Sequence, residues 1–332
     1  MSFALHTPVT HLPDRVPLAD LPELAGQTEQ ERASCLALGI EQVTVGDGLS
    51  AVDLASSAGK RALAAAGLSP DRLDGLIMIE SRAPETLSTS EVTRVQAALG
   101  AHRAWAFSVG GLGCATVVPA LLSAGGLLTA YPEAGHILVL HGSKPVTRRR
   151  YRHPVTVNGD SGQAVLVARQ GPLRVRDILL ETSGAYWDLF QVDYRDHDAD
   201  QWREECTDLP RYSFTLAVES RKRITDLVRR LLERNGVDRD AVSCWVGQNL
   251  SSAALRVVAE ALDVKISDAC ADNLRTNGHL GPNDALLNLE TARERGELPE
   301  GGTAVVLNMS PAAAWSAMLV GHGERDGDAL FL

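Results

Sequence analysis

Residues 67–78, GLSPDRLDGLIM, are echoed by residues 236–246, GVDRDAVSCWV. Each copy sets a glycine after a helix-competent stretch, then a short polar turn, then a buried apolar run. A second pair lies at nearly the same separation, GHILVLHGS from Gly135 and GTAVVLNMS from Gly302. The first pair is offset by 169 positions (67 to 236) and the second by 167 (135 to 302). One such match arises by chance; two at similar offsets indicate a duplicated α/β unit. Around these anchors, Ala51–Ala66 reads as an amphipathic helix closed by Gly67. Leu73–Ile79, Ile137–Leu140, Ala164–Val167, Cys244–Val246 and Ala304–Leu307 read as buried strands, the alternation of a layered α/β fold. The halves are expected at residues 1–172 and 213–332. The stretch 173–212 between them, rich in Asp, Arg and aromatics, reads as an insertion or cap.

The bulk numbers narrow the function classes. A chain of 332 residues with 45% hydrophobic and 22% charged content has ordinary globular composition. A formal charge of −10 argues against nucleic acid as a partner and requires any acidic partner to meet a local basic patch. The N-terminal MSFALHTPVTHLPDR lacks the pattern of a signal peptide. The apolar run Ala115–Ala130 is interrupted by Thr, Pro, Ser and Gly, and is expected to fall short of a membrane span. Five cysteines (Cys35, Cys114, Cys206, Cys244, Cys270) without a CxxC pair point to a reducing cytoplasm, with neither a disulfide framework nor a structural metal site.

Chemistry concentrates in SVGGLGCATVVPALLSAGG, residues 108–126. Small residues precede Cys114 and a helix-competent run follows, which puts its sulfur at a helix N-terminus where thiolate is favoured. The cysteine backbone N–H is there available to an oxyanion. A cysteine in such a place is otherwise a small buried hydrophobe. Of nine histidines, His279 in TNGHLGPNDALLNLE has the best context, a polar turn leading into an apolar helix. Aligning Ala285-Leu286-Leu287 with Ala120-Leu121-Leu122 gives an offset of 165, which pairs residue 114 with residue 279. Equivalent helix starts of a duplicated fold face each other, so Cys114 and His279 are expected to meet. Asp284 either orients His279 or complements the helix dipole, and Asn283 is a possible cap. His141, ending an apolar strand, is a candidate pocket residue.

GCATVVPALLSAG, GHILVLHGS, NGDSGQAVLV and the terminal NMSPAAAWSAMLVG together resemble the ketoacyl-acyl carrier protein synthase III enzymes of the thiolase superfamily. The resemblance runs from about Leu38 to Gly321 and is specific in the cysteine loop, the Gly159-Asp160 turn and the Trp315 strand. It implies a thiolase fold of two βαβαβ halves in a five-layered αβαβα sandwich, a homodimer, and acyl transfer to cysteine. The donor would be a thioester of acyl carrier protein or coenzyme A, with no cofactor. Condensing members carry a Cys–His–Asn set. Here WVGQNLSSAALRVV has Gln248 where their histidine belongs, and His279 stands where their asparagine does. Gly278, His279 and Asp284 instead resemble a branch that moves acyl groups onto hydroxyl or amine acceptors in natural-product pathways.

The resulting expectation is a catalytic set Cys114, His279 and Asp284, with Gln248, Asn249, Ser310 and Ala312 around the oxyanion and substrate pocket. Pro311 has no N–H and cannot serve as a donor. An acidic carrier protein is expected at Arg148, Arg149 and Arg150, with Arg152 beside them, and at Arg256; Arg221-Lys222-Arg223 is a further basic run taken to follow a strand. Tyr186, Trp187, Phe190 and Trp202 either line a cavity or pack the cap. Two other readings stay open, a decarboxylating condensing enzyme that primes a polyketide and an inactive scaffold subunit.

Overall fold

The computed structural model describes residues 2–82, 84–86 and 88–323. Its layering follows from the period-two alternation of its strands. In Gly75–Ile79, Ile77 and Ile79 face one cluster of buried side chains while Leu76 and Met78 face another. The first cluster contains Val117, Leu121 and Leu128 of helix Val117–Ala130; the second contains helices Ala51–Ala65 and Glu91–Leu99. The other half repeats the scheme. Cys244 and Val246 face helix Asp284–Glu294, while Trp245 faces helices Ala217–Arg234 and Ser252–Leu262. Helices Val117–Ala130 and Asp284–Glu294 share one core with strands of both halves, so they form the middle of five layers.

One continuous path of strands links the halves. From one end it runs Cys244–Val246, Thr303–Ser310, Ala314–His322, Leu173–Thr182, Phe3–Leu5, Ser161–Ala168, His136–Ser143, Gly75–Ile79 and Trp105–Val109. The echoed strands occupy mirrored places: Gly75–Ile79 and Cys244–Val246 pair in parallel with His136–Ser143 and Thr303–Ser310, respectively. The pseudo-twofold passes between Phe3–Leu5 and Leu173–Thr182, which pair antiparallel.

Two expectations need correction. Residues 173–182, assigned to the cap, are the strand of the second half at the seam with the first, hydrogen-bonded along Ala314–His322. A register shift between Val175 and Asp177 breaks the apolar alternation and hides the strand in the sequence. Residues 183–212 then form short elements, with Tyr186 and Leu189 buried against the Trp315 face of the sheet. Gly113–Ala130 is, by length and composition, apolar enough to cross a membrane, but it forms the central layer and most of it is buried inside the protein. Ser50 caps helix Ala51–Ala65 in a reciprocal capping box with Asp53, fixing the helix start near the expected boundary.

Leu121 is fully buried in the central layer. Leu121→Ala is expected to cost about 2–5 kcal/mol of stability, read by urea unfolding. A loss below about 1 kcal/mol would show that the middle layer is not the close-packed centre of the molecule.

Candidate active site

Each central helix is preceded by a short 3-10 turn, Gly113–Thr116 before one and Gly281–Asn283 before the other. Cys114 lies within the first turn, while His279 lies two residues before the second and Asp284 directly after it. Cys114 Sγ lies 3.1 Å from His279 Nε2, and His279 Nδ1 lies 2.6 Å from Asp284 Oδ2. Cys114, His279 and Asp284 are all buried. Asp284 also accepts the N–H groups of Leu280 at 2.8 Å and Asn249 at 3.1 Å. The Nδ1–H of His279 therefore donates to a fixed carboxylate, and Nε2 is aimed at sulfur.

The backbone around His279 is clamped. His279 N–H donates to the Val157 carbonyl and the His279 carbonyl accepts from Gly159 N–H, both at 2.9 Å. A Cβ at residue 159 would sit 2.2 Å from the Asn277 carbonyl oxygen, so only glycine permits this approach. Next to it, fully buried Asp160 accepts Gly46 N–H at 2.9 Å and pairs with Arg150 at 2.7 Å. On the cysteine side Gly113 holds φ +54°, and a Cβ there would lie 2.8 Å from Ser310 Oγ.

The electrostatics separate Cys114 from the other cysteines. Burial pushes Cys35, Cys244 and Cys270 up to about 12. Burial also pushes Cys114 up. The imidazolium of His279, its hydrogen bond, and the guanidiniums of Arg152 and Arg82 outweigh that effect and hold the thiol below its ordinary value. Burial alone would lower His279, but the Cys114 thiolate and Asp284 raise it to about 10. Both directions favour a thiolate–imidazolium couple, the nucleophilic state of a cysteine. It opens onto a cavity of about 540 Å3, lined among others by His141, Ser143, Lys144, Arg82 and Ala312. His141 Nδ1–H donates to the Ile79 carbonyl at 3.0 Å, and burial lowers the ring to about 4, which keeps it neutral.

No family model matches the chain. Among curated proteins it is similar to the beta-ketoacyl-acyl carrier protein synthase III of Cereibacter sphaeroides, 29% identical over 327 residues that cover 93% of this chain and 96% of that protein. The Aquifex aeolicus enzyme of the same name is 25% identical, covering 80% and 82%. The chain is thus similar to ketoacyl synthase III proteins over most of its length and shares their fold. Solved structures agree on the fold. The acyltransferase ChlB3 superposes with TM-score 0.82 at 20% identity, covering 97% of each chain. AbyA1, a tetronic acid condensing enzyme, gives 0.79 at 22%, covering 96% and 99%, and FabH from Pseudomonas aeruginosa PAO1 gives 0.78 at 20%, covering 98% and 99%.

The expected pocket residues divide. Ser310 and Ala312 line the space at Cys114, whereas Gln248 and Asn249 lie behind it. Gln248 Oε1 accepts Met309 N–H at 2.5 Å, and Asn249 supports Asp284 while accepting Asn288 Nδ2 at 2.8 Å. Ala312 N–H is directed at Ser310 Oγ, 3.2 Å away. Asn283 does not cap its helix; its amide donates to Ser161 Oγ at 2.9 Å. The basic run divides too. Arg148 and Arg149 are exposed, with Arg148 ion-paired to Asp200, while Arg150 is committed to Asp160. Arg256 is exposed on helix Ser252–Leu262. Residues Arg221 to Arg223 lie inside helix Ala217–Arg234 and not after a strand, with Arg223 paired to Glu181 and Glu219 at 2.7 Å.

Arg152 is buried beside the nucleophile instead of facing solvent. Its ion-pair partner Glu204 and the neighbouring Arg82 were missed, since no local pattern joins positions 82, 152 and 204. Asn288 was also missed, although a polar residue four places after Asp284 on a buried helix is a readable signal. Of the cap aromatics, Trp187 and Phe190 line the space at Cys114, Tyr186 packs in the core, and Trp202 lies edge-on to Tyr194 with ring centroids 5.9 Å apart.

His279→Ala removes the main influence that opposes burial at Cys114, so the thiol should titrate higher. Alkylation of Cys114 by iodoacetamide at pH 7 is expected to slow at least about tenfold, with the rate profile moved to higher pH. An unchanged profile would show that the imidazole does not hold the thiolate.

Proposed function

We propose that the protein is a non-decarboxylating acyltransferase that carries an acyl group on Cys114 and passes it to a hydroxyl or amine of a small-molecule acceptor. The observation that carries this reading is the linear Cys114–His279–Asp284 relay at 3.1 and 2.6 Å. The Cys114 thiolate attacks the donor thioester carbonyl, the donor thiolate leaves, and the proton of His279 Nε2 goes to it. Acylation erases the negative charge that did most to raise His279. Burial then lowers the imidazole, and its neutral Nε2 accepts the proton of the acceptor as the acceptor attacks. Asp284 keeps the ring oriented in both half-reactions. The acyltransferase ChlB3 among the structural neighbours is in keeping with this reading, and we place the reaction in natural-product biosynthesis.

A condensing reaction is the second reading, favoured by the synthase III relatives and by AbyA1. Decarboxylation calls for two donors at the malonyl thioester carbonyl. Gln248, in the place of the family histidine, is engaged with Met309 and does not line the cavity. An inactive scaffold has no use for a lowered cysteine held against a raised histidine.

Acyl carrier protein is the proposed donor carrier, docking at Arg148, Arg149 and Arg256, with coenzyme A as the alternative. A groove of about 400 Å3 between helices Ala217–Arg234 and Ser252–Leu262 reaches Ser310 and has Arg221 in its wall, a suitable path for the donor arm. We further propose a cytoplasmic homodimer formed through the edge strand Trp105–Val109, where Trp105 and Phe107 are each 37% exposed. Trp105→Asp should then convert the dimer to monomer in sedimentation; an unaffected dimer would place the interface elsewhere.

The decisive experiment acylates the protein with a panel of thioesters, follows Cys114 by intact mass, and chases with malonyl-carrier protein or with hydroxyl and amine acceptors. Discharge by an acceptor and survival of malonyl are expected. Discharge by malonyl as a ketoacyl product would make this a condensing enzyme.

A further inference from the structure

Above Cys114 lies a second, small cavity of about 70 Å3, walled by Arg82, Arg152, Trp187, Phe190 and Ser310. Its charged wall is built, not incidental. Arg152 is only 4% exposed, its guanidinium stacks over the Phe190 ring at 4.4 Å, and its Nε lies 2.9 Å from Glu204 Oε1. Arg82 reaches the same Glu204 oxygen at 2.5 Å. Glu204 is the only carboxylate within ion-pair distance of either guanidinium among the described residues. Two cations therefore share one oxygen of one anion, and the buried Nε of Arg152, although within ion-pair distance of Glu204, has no hydrogen-bond partner among the described residues. A buried guanidinium left with open donors costs stability unless something else uses them. The planar fork of Arg is suited to a carboxylate.

Resting on the acyltransferase reading above, we propose that the acyl group carried on Cys114 is that of a short dicarboxylic acid, its free carboxylate held by Arg152 and Arg82. The cavity admits a carboxylate and one or two carbons, not a long chain. The phosphate of a phosphopantetheine arm sits far from the thioester sulfur and cannot reach a cavity that Cys114 itself lines. In the loading step the Cys114 sulfur bonds to the thioester carbonyl, the donor carbon–sulfur bond breaks, and the donor thiolate leaves with the His279 proton. The distal carboxylate stays intact. An ion pair with two guanidiniums stabilises that carboxylate in its charged form, and losing carbon dioxide would forfeit the pairing. The same wall thus selects the acyl group and opposes its decarboxylation.

The test is Cys114 loading, read by intact mass, with malonyl- and succinyl-coenzyme A against propionyl- and butyryl-coenzyme A, which share the pantetheine arm. The wild type should load a dicarboxylic donor at least about tenfold faster, with the carboxyl group retained in the adduct mass. Arg152→Met and the more exposed Arg82→Met should each shrink that ratio at least about fivefold, and Arg152→Lys should restore part of it. The ratio discounts any general slowing from a less acidic Cys114, and thermal melting of each variant checks folding. Equal loading of both classes by the wild type, or equal slowing of both by the two Met variants, would overturn the proposal and leave the acyltransferase intact. No adduct from any donor would overturn both.

Discussion

A thiolate and an imidazolium held 3.1 Å apart in a buried site are costly to assemble and become ordinary groups when separated. Much of the surrounding architecture limits that cost. Asp284 accepts His279 and two backbone N–H groups, Asn249 and Asn288 brace it from behind, and the 157–159 turn grips the His279 backbone on both sides. The duplication supplies the geometry, because two central helices running through one core bring their starting turns together. Nucleophile and base come from opposite halves, and the middle layer fixes their spacing.

Charge is what distinguishes this pocket from a generic thiol site. Arg82 and Arg152 act on Cys114 as well as on whatever occupies the small cavity above it, so nucleophile tuning and substrate selection share side chains. Such sharing ties specificity to reactivity: a change that alters which acyl group is accepted also moves the thiol. Phe190 and Trp187, carried by the connection between the halves, also line that cavity, with Arg152 stacked on the Phe190 ring. That connection is accordingly part of the site and more than a link.

Much of the architecture was legible because it is repeated. The glycine-turn-strand echoes located four of the principal strands, and the 165-residue offset led to the Cys114–His279 contact that the fold realises. What stayed hidden depends on interruption or on distance. Leu173–Thr182 carries Arg and Asp and a register shift, so its alternation stops midway and it reads as surface. Arg152 stood in a basic run that looked solvated, and only the fold places it under Phe190 beside Glu204. Arg150 likewise looked like a docking residue until its pairing with Asp160 appeared. Charge runs in a sequence carry no sign of which members turn inward.

The offset of 165 positions from Cys114 to His279 also imposes an order in time. At ordinary elongation rates of about 5–20 residues per second, Cys114 leaves the ribosome on the order of ten to thirty seconds before its histidine. Until the second central helix docks, the cysteine has no imidazolium beside it and remains a common thiol, poorly nucleophilic in a cell full of thioesters. Reactivity is switched on by completion of the fold, so a truncated or half-assembled chain cannot trap the pool of activated acyl groups.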